Sequence, residues 1–321
     1  ISKVSNRRVL LKAGENQTSI ARLLNVHRST ISRELSRNIA ARGRTSGFYV
    51  AANAQRKTSI RHRYKPKQIK LTLELKEQIV SYLRYDKWSP EIISHKLKQQ
   101  VGSMVSHETI YQHILTDKAA GGDLYTHLRC QKKNRKRYGT KSNDKRGQIK
   151  DKVSIEERPQ IVEDKSRKGD WEGDLVIGKN HKRALVTLVD RKTKKTKIAI
   201  VDSKQAKPVS TAVVELLKNE TKHTVTFDNG KEFAEHKEMK DKTGAIIYFA
   251  HPYSSWERGL NENTNGLIRQ YFPKNCDFTT ITDEQIKQVQ DKLNNRPRKV
   301  LNMKTPNELL FGIHPNVALG Y

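Results

Sequence analysis

Three carboxylates stand out for where they fall along the chain. Asp174 interrupts the apolar run from Trp171 to Ile177, and an unpaired carboxylate inside a strand carries a desolvation cost of several kcal/mol. Asp228 opens Asp228-Asn229-Gly230, directly after the β-branched segment His223 to Phe227. Glu262 lies between Asn261 and Asn263, one helical turn after Arg258. Two strand positions and one helix can bring three such groups onto divalent cations, which would remove the burial cost of Asp174. Two Mg²⁺ ions about 3.5–4 Å apart activate an attacking oxygen and stabilise the leaving oxygen of an in-line phosphoryl displacement. Each acid also has a structural reading. Asp174 serves as a buried capping or salt-bridge acid, Asp228-Asn229-Gly230 as a hairpin turn, and Glu262 as the counter-charge of Arg258. Glu172, Glu232 and Glu257 are read as solvated or supporting neighbours.

The elements that must position these acids follow from hydrophobic periodicity. Trp171–Ile177, Ala184–Asp190 and Thr196–Val201 are short apolar or alternating blocks split by basic, turn-like separators, which predicts an antiparallel meander. A helix from Lys207-Pro208 to Lys218 follows, then a strand over 223–227, a helix over 231–240, a strand over 245–249 and a helix over 257–271. On that last helix Arg258, Glu262, Asn265 and Arg269 share one polar face. From helical face alone, Asn265 and Arg269 are expected to hold a nucleic-acid strand; the basic tip Arg191–Lys195 reads equally as a contact to target or flanking DNA and as a solvated turn with no partner.

Lysine and arginine number 63 against 34 acids in 321 residues, a net charge of +29. Such an excess points to a polyanionic partner, nucleic acid before an acidic membrane. The charge is concentrated in front: residues 1–170 hold 38 basic and 16 acidic residues, residues 171–321 hold 25 and 18. No apolar run of about eighteen residues suggests a bilayer span, and no charged-then-apolar leader opens the chain. Cys130 and Cys276 stand far apart, which argues for a reducing compartment and against thiolate zinc sites. Within Gln17–Asn38, Ile20, Leu23 and Leu24 make one apolar stripe and Ile31 with Leu35 another. Asn25 suits a left-handed turn between them. This helix-turn-helix pattern, in a DNA-binding domain spanning 1–41, sends Arg28, Ser29, Ser32 and Arg33 to solvent, with Arg37 one turn on, where they can reach base edges and phosphates. A weaker helical copy spans 70–128, with helix starts at Ser89-Pro90 and Ser106. Residues 42–69 read as a solvated linker. Residues 129–168 read as a basic linker whose Lys132, Lys133, Arg135, Lys136 and Arg137 track phosphates. The rest, 169–321, forms the sheet-bearing domain.

Several runs carry a family likeness. Trp171 with Asp174 resembles the Trp-x-x-Asp of a retroviral-integrase-like core, and His251-Pro252-Tyr253 followed by Gly259 and Glu262 resembles the second half of that motif. With GDWEGD, FDNGKEFA, PYSSWERGLNENTNGLIRQYFPK and LNNRPRKVLNMKTPNEL, and 33 residues between Asp228 and Glu262, the chain closely resembles the insertion-sequence-thirty family of bacterial transposases. The resemblance implies a multidomain α plus α/β protein: helix-turn-helix modules, then a ribonuclease-H-like D-D-E core with a mixed five-stranded sheet. It implies that Asp174, Asp228 and Glu262 bind two Mg²⁺ per site, with Mn²⁺ able to substitute, and form the catalytic triad. It further implies that the front module reads the terminal inverted repeats of double-stranded DNA, and that the enzyme hydrolyses the element's end and joins the 3′-OH to target DNA. A homodimer on the DNA and a cytoplasmic, nucleoid-associated bacterial protein are expected, with no membrane partner. The contrasting possibilities are a DNA-binding regulator with a non-catalytic ribonuclease-H-like domain and a related nuclease that cannot join ends.

Overall fold

The computed structural model describes residues 11, 13–64, 71–102, 105–130, 149, 151–252 and 254–312. The chain divides into two compact units, Ile1–Ile69 and Lys70–Tyr321. In the first, α1 (Gln17–Leu23) and α2 (Arg28–Asn38) are joined by a turn in which Asn25 takes φ 50°. An amide side chain tolerates this left-handed conformation better than most. The Asn16 side chain accepts from the Ser19 backbone N–H at 2.8 Å and starts α1. Ile20, Ala21, Ile31 and Leu35 form the core with Tyr49 and Ala54. Ala54 belongs to α3 (Ala51–Tyr64), a helix inside the stretch expected to be a solvated linker. Its apolar signal is small because Ala54 is its only fully buried residue.

In the second unit, α4 (Leu73–Arg84), α5 (Pro90–Val101) and α6 (His107–Ala119) enclose Ile79, Leu83, Ile93, Leu97, Ile110 and Ile114. Ser106 caps α6 by accepting from the Thr109 backbone N–H. This helical module is tied to the sheet-bearing part. Tyr271 Oη donates to the Asp86 carbonyl at 2.9 Å, Arg296 donates to the Lys87 carbonyl at 2.6 Å, and Lys299 pairs with Glu91 at 2.7 Å.

The sheet contains β1 (Val153–Ser154), β2 (Asp170–Ile177), β3 (Ala184–Asp190), β4 (Thr196–Val201), β5 (Thr224–Phe227) and β6 (Ile246–Phe249). Their order is β1-β6-β5-β2-β3-β4. The β2-β3 and β3-β4 pairs are antiparallel, whereas β2-β5, β5-β6 and β1-β6 are parallel. The expected five strands are therefore six. The extra edge strand is two residues long and lies in the segment read as basic linker, where two residues carry no periodicity to detect. After β1 the same segment supplies α7 (Gln160–Glu163), whose Val162 is fully buried.

Both faces of the sheet are covered. Helices α8 (Ala206–Leu217) and α9 (His236–Thr243) pack Val209, Val213, Leu217 and Met239 against Trp171, Val186, Leu188, Val225 and Phe227. On the other face, α10 (Gly259–Ile268) and α11 (Asp283–Asn294) bring Leu267, Ile268, Ile286, Val289 and Leu293 onto Val176, Leu185 and Ile198. A three-stranded meander extended by parallel strands, with helices on both sides, is the ribonuclease-H-like arrangement.

Candidate active site

Strand register brings the first two acids together. β2 and β5 run parallel with Glu172 opposite Thr226. Two residues further on, Asp174 in β2 and Asp228 directly after β5 leave on the same face, because side chains alternate with period two. Between Trp171 and Asp174 the opposite face carries Gly173. A Cβ there would stand 2.1 Å from Phe227 Cε1, so a glycine is what lets the Phe227 ring cross β2. The Asp174 side chain is 22% exposed and that of Asp228 40%. Burial raises the Asp174 carboxyl above its ordinary pKa. The nearby Arg258 charge and the Asn265 hydrogen bond oppose that rise, while Asp228 adds to it.

Helix α10 supplies the rest of the site. Arg258, at the junction between the 3₁₀ turn Ser255–Arg258 and α10, reaches both acids: Nη1 lies 3.7 Å from Asp174 Oδ1 and Nη2 lies 3.2 Å from Asp228 Oδ2. Its Nη1 also donates to the Gly173 carbonyl at 3.0 Å, as does Asn261 Nδ2 at 3.1 Å. Asn265 Nδ2 donates to Asp174 Oδ2 at 2.7 Å, and Thr187 Oγ1 donates to the Asp174 carbonyl at 3.2 Å. Arg258, Asn261 and Thr187 were not singled out as site residues. The sequence paired Arg258 with Glu262 by their four-residue spacing, whereas its guanidinium faces two carboxylates on other elements. Glu262 is exposed in the first turn of α10. It stands at i+4 from Arg258 and i−3 from Asn265, so the two residues that bracket it on this helical face both touch Asp174. Among the described residues no group of three His, Cys, Asp or Glu is close enough to hold a metal ion. The structure thus joins Asp174 with Asp228 and leaves Glu262 outside that pair.

The expected nucleic-acid contacts fall out unevenly. Arg28, Ser32, Arg33 and Arg37 are exposed along α2, and Ser29 is half-buried, bonded to His27 Nδ1 at 2.9 Å and to Arg33 at 3.1 Å. Lys132, Lys133, Arg135, Arg137 and Lys136 lie outside the described residues, as does Tyr253. Asn265 faces Asp174 rather than open solvent. Arg269 donates to the Ile177 carbonyl at 2.7 Å and stands over the Phe278 ring, so its guanidinium ties α10 to the sheet. The basic turn after β3 is corrected more sharply. Arg191 is buried against Glu172 at 2.6 Å and Glu163 at 3.3 Å, and Lys195 is paired with Glu220 at 2.7 Å. In a turn that reads as a basic tip, Arg191 and Lys195 thus belong to charge networks within the fold, while Lys192 stays exposed. Glu172 is accordingly a buried partner of Arg191, and Glu257 accepts from the His251 backbone N–H at 2.8 Å and from its ring.

Residues 4–38 match a family model described as a helix-turn-helix domain. The transposase for insertion sequence element IS4351 of Bacteroides fragilis is 46% identical over 302 residues, covering 94% of this chain and 91% of that relative. Transposase InsI for insertion sequence element IS30A of Escherichia coli (strain K12) is 37% identical over 325 residues, covering 97% of this chain and 82% of its own length. Among solved structures, the catalytic core domain of BIV integrase aligns with 44% of this chain and 91% of its own, at 18% identity and a TM-score of 0.35. With relatives at these identities spanning nearly its whole length, the chain belongs to the insertion-sequence-thirty (IS30) family of bacterial transposases.

Proposed function

We propose that this chain is a divalent-metal-dependent transposase that cleaves the ends of its insertion sequence and joins them to target DNA. The observation that carries the reading is that Asp174, on β2, and Asp228, directly after the parallel neighbour β5, are bridged by one guanidinium, that of Arg258. Glu262 adds support, set between Arg258, the N-cap of α10, and Asn265 within it, both of which reach Asp174. The donor chemistry fits hard cations. Two carboxylates share a single guanidinium, which leaves net negative charge at the pair, and oxygen ligands are what Mg²⁺ and Mn²⁺ take.

Asp174, Asp228 and Glu262 would hold two such ions. When bound, these supply a Lewis acid for the attacking oxygen and for the leaving oxygen. The chain's own residues do the positioning. Asn265 fixes one Asp174 oxygen, Thr187 holds the strand beneath it, and Asn261 anchors α10 to Gly173. Water and then the DNA 3′-OH act as nucleophiles, so no covalent protein–DNA intermediate is required. The α2 face of Arg28, Ser32, Arg33 and Arg37 engages the terminal inverted repeats, with Ser29 holding the Arg33 guanidinium in place. Residues 132–137 add sequence-independent phosphate contacts. Two ends joined in one reaction call for two active sites, hence a homodimer on DNA, acting at the bacterial nucleoid in the cytoplasm. Among the described residues no helix is long and apolar enough to cross a membrane.

The test compares the unaltered chain with Asp228→Asn on labelled element ends and a target plasmid in Mg²⁺. The proposal expects both to bind ends with similar affinity and only the unaltered chain to nick and join them. A variant that keeps its full biological effect would identify a regulator. Cleavage without any joined product from pre-cut ends would identify a nuclease.

A further inference from the structure

Arg258 is placed unlike an ordinary surface partner of a helix. Its side chain is only 11% exposed, and it spans two carboxylates that belong to different strands, 3.7 Å from one and 3.2 Å from the other. It also donates to the Gly173 carbonyl between them. Its backbone, at φ −126° and ψ 38°, lies outside the helical region at the start of α10. Arg258 therefore precedes the helical body of α10. Two acids side by side at the β2-β5 pairing repel each other, and without a counter-charge that repulsion would favour protonation of one of them. A guanidinium is well suited to bridging: it stays charged and its planar fork reaches two oxygens at once.

Resting on the metal-dependent reading above, we propose that Arg258 is the site's built-in cation. It bridges Asp174 and Asp228 while no divalent metal is present, and it leaves the pair when metal enters. A guanidinium and a metal ion would compete for the same carboxylate face, and a +1 and a +2 charge at contact distance repel each other. Metal binding is then an exchange of one cation for another. It costs affinity, but the carboxylates arrive already positioned. Arg258 is a positioning residue in this account. Its release ties metal occupancy to a change at the first turn of α10, the turn that carries Glu262.

The exchange is read on the full-length protein without DNA, so no step of catalysis enters. Phenylglyoxal modification of Arg258, mapped by mass spectrometry, should be slow in the metal-free protein and at least fivefold faster in saturating Mg²⁺. Asp228→Asn should make it fast without metal, because half of the clamp is gone. Mn²⁺ titration followed by electron paramagnetic resonance should show at least tenfold tighter binding in Arg258→Gln, with Arg258→Lys close to the unaltered chain. The labelling arm uses the unaltered chain, so it decides the question even if a variant folds poorly. Unchanged or slower labelling in Mg²⁺, with Mn²⁺ binding still abolished by Asp174→Asn, would overturn the exchange and leave the metal site standing. Mn²⁺ binding indifferent to both Asp174→Asn and Asp228→Asn would remove the metal site itself, and the exchange with it.

Discussion

Adding one methyl group at Gly173 tests how the site is built. A Cβ there would meet Phe227 Cε1 at 2.1 Å, Phe227 Cδ1 at 2.6 Å and Leu188 Cδ2 at 3.1 Å. The first contact is more than about 1 Å inside the optimal carbon–carbon separation. The ring has nowhere to go: Phe227 is fully buried, stacked on Phe233 with centroids 4.1 Å apart and tilted against Phe249 at 6.5 Å. Overpacking of this kind costs about 1–3 kcal/mol, and the closeness of the clash with an immobile ring places Gly173→Ala near the upper end. The substitution also recovers roughly 0.4–1 kcal/mol by restricting the unfolded chain, because no left-handed conformation stands at this position. The net expectation is a loss of about 2 kcal/mol, measured by urea unfolding of the full-length protein. Because Asp228 follows Phe227 directly, displacement of the ring should also weaken Mn²⁺ binding. Phe227→Leu in the Gly173→Ala background should recover part of the loss, giving a non-additive cycle. A loss below about 0.5 kcal/mol, the range of neutral surface changes, would refute the claim that this glycine sets the approach of β5 to β2.

Other consequences follow from the same geometry. Arg191→Met strands the buried Glu172 carboxylate, whose ordinary pKa is already raised by burial; it should cost about 3–5 kcal/mol in unfolding experiments, with most of that recovered in the Glu172→Gln/Arg191→Met double variant. Burial lowers the Lys194 amine to about pKa 8. Between pH 8 and the unfolded value of 10.5 the unfolded chain therefore binds more protons, so this side chain makes stability rise with pH across that window. Lys194→Met should remove that rise when unfolding is compared at pH 7.5 and pH 10 (roughly the window's two ends). Arg28→Ala and Arg33→Ala should each reduce discrimination of element ends over unrelated DNA by about 1–3 kcal/mol in competition gel shifts; loss of affinity for both DNAs alike would make them phosphate contacts instead.

The sequence was most readable where burial and periodicity agree. β2, β3 and β4 fall within a residue of their expected bounds because each is a compact apolar block between polar turns. The left-handed Asn25 turn and the Ser106 cap were legible from residue chemistry alone. The two-residue β1 and the alanine-centred α3 were not, since neither carries enough apolar surface to show a pattern. Within the site, strand position exposed Asp174 and Asp228 as candidates. The partners of long charged side chains stayed hidden. Arg258 and Glu262 are helix neighbours in sequence, but Arg258 finds its acids on β2 and after β5. Arg191 and Lys195 resemble a solvated tip, yet meet Glu172, Glu163 and Glu220 from distant segments. Such pairings depend on which strands become neighbours, which local spacing does not encode.

The central claim is that Asp174, Asp228 and Glu262 share divalent metal on the path to DNA cleavage. The most direct measurement is anomalous scattering from Mn²⁺ in crystals of the full-length protein bound to its element end. The account predicts density with oxygens of Asp174 and Asp228 at about 2.1 Å, Glu262 turned in as a further ligand, and the Arg258 guanidinium withdrawn. Mn²⁺ bound elsewhere, or a DNA-loaded site in which these three acids share no ion, would contradict it.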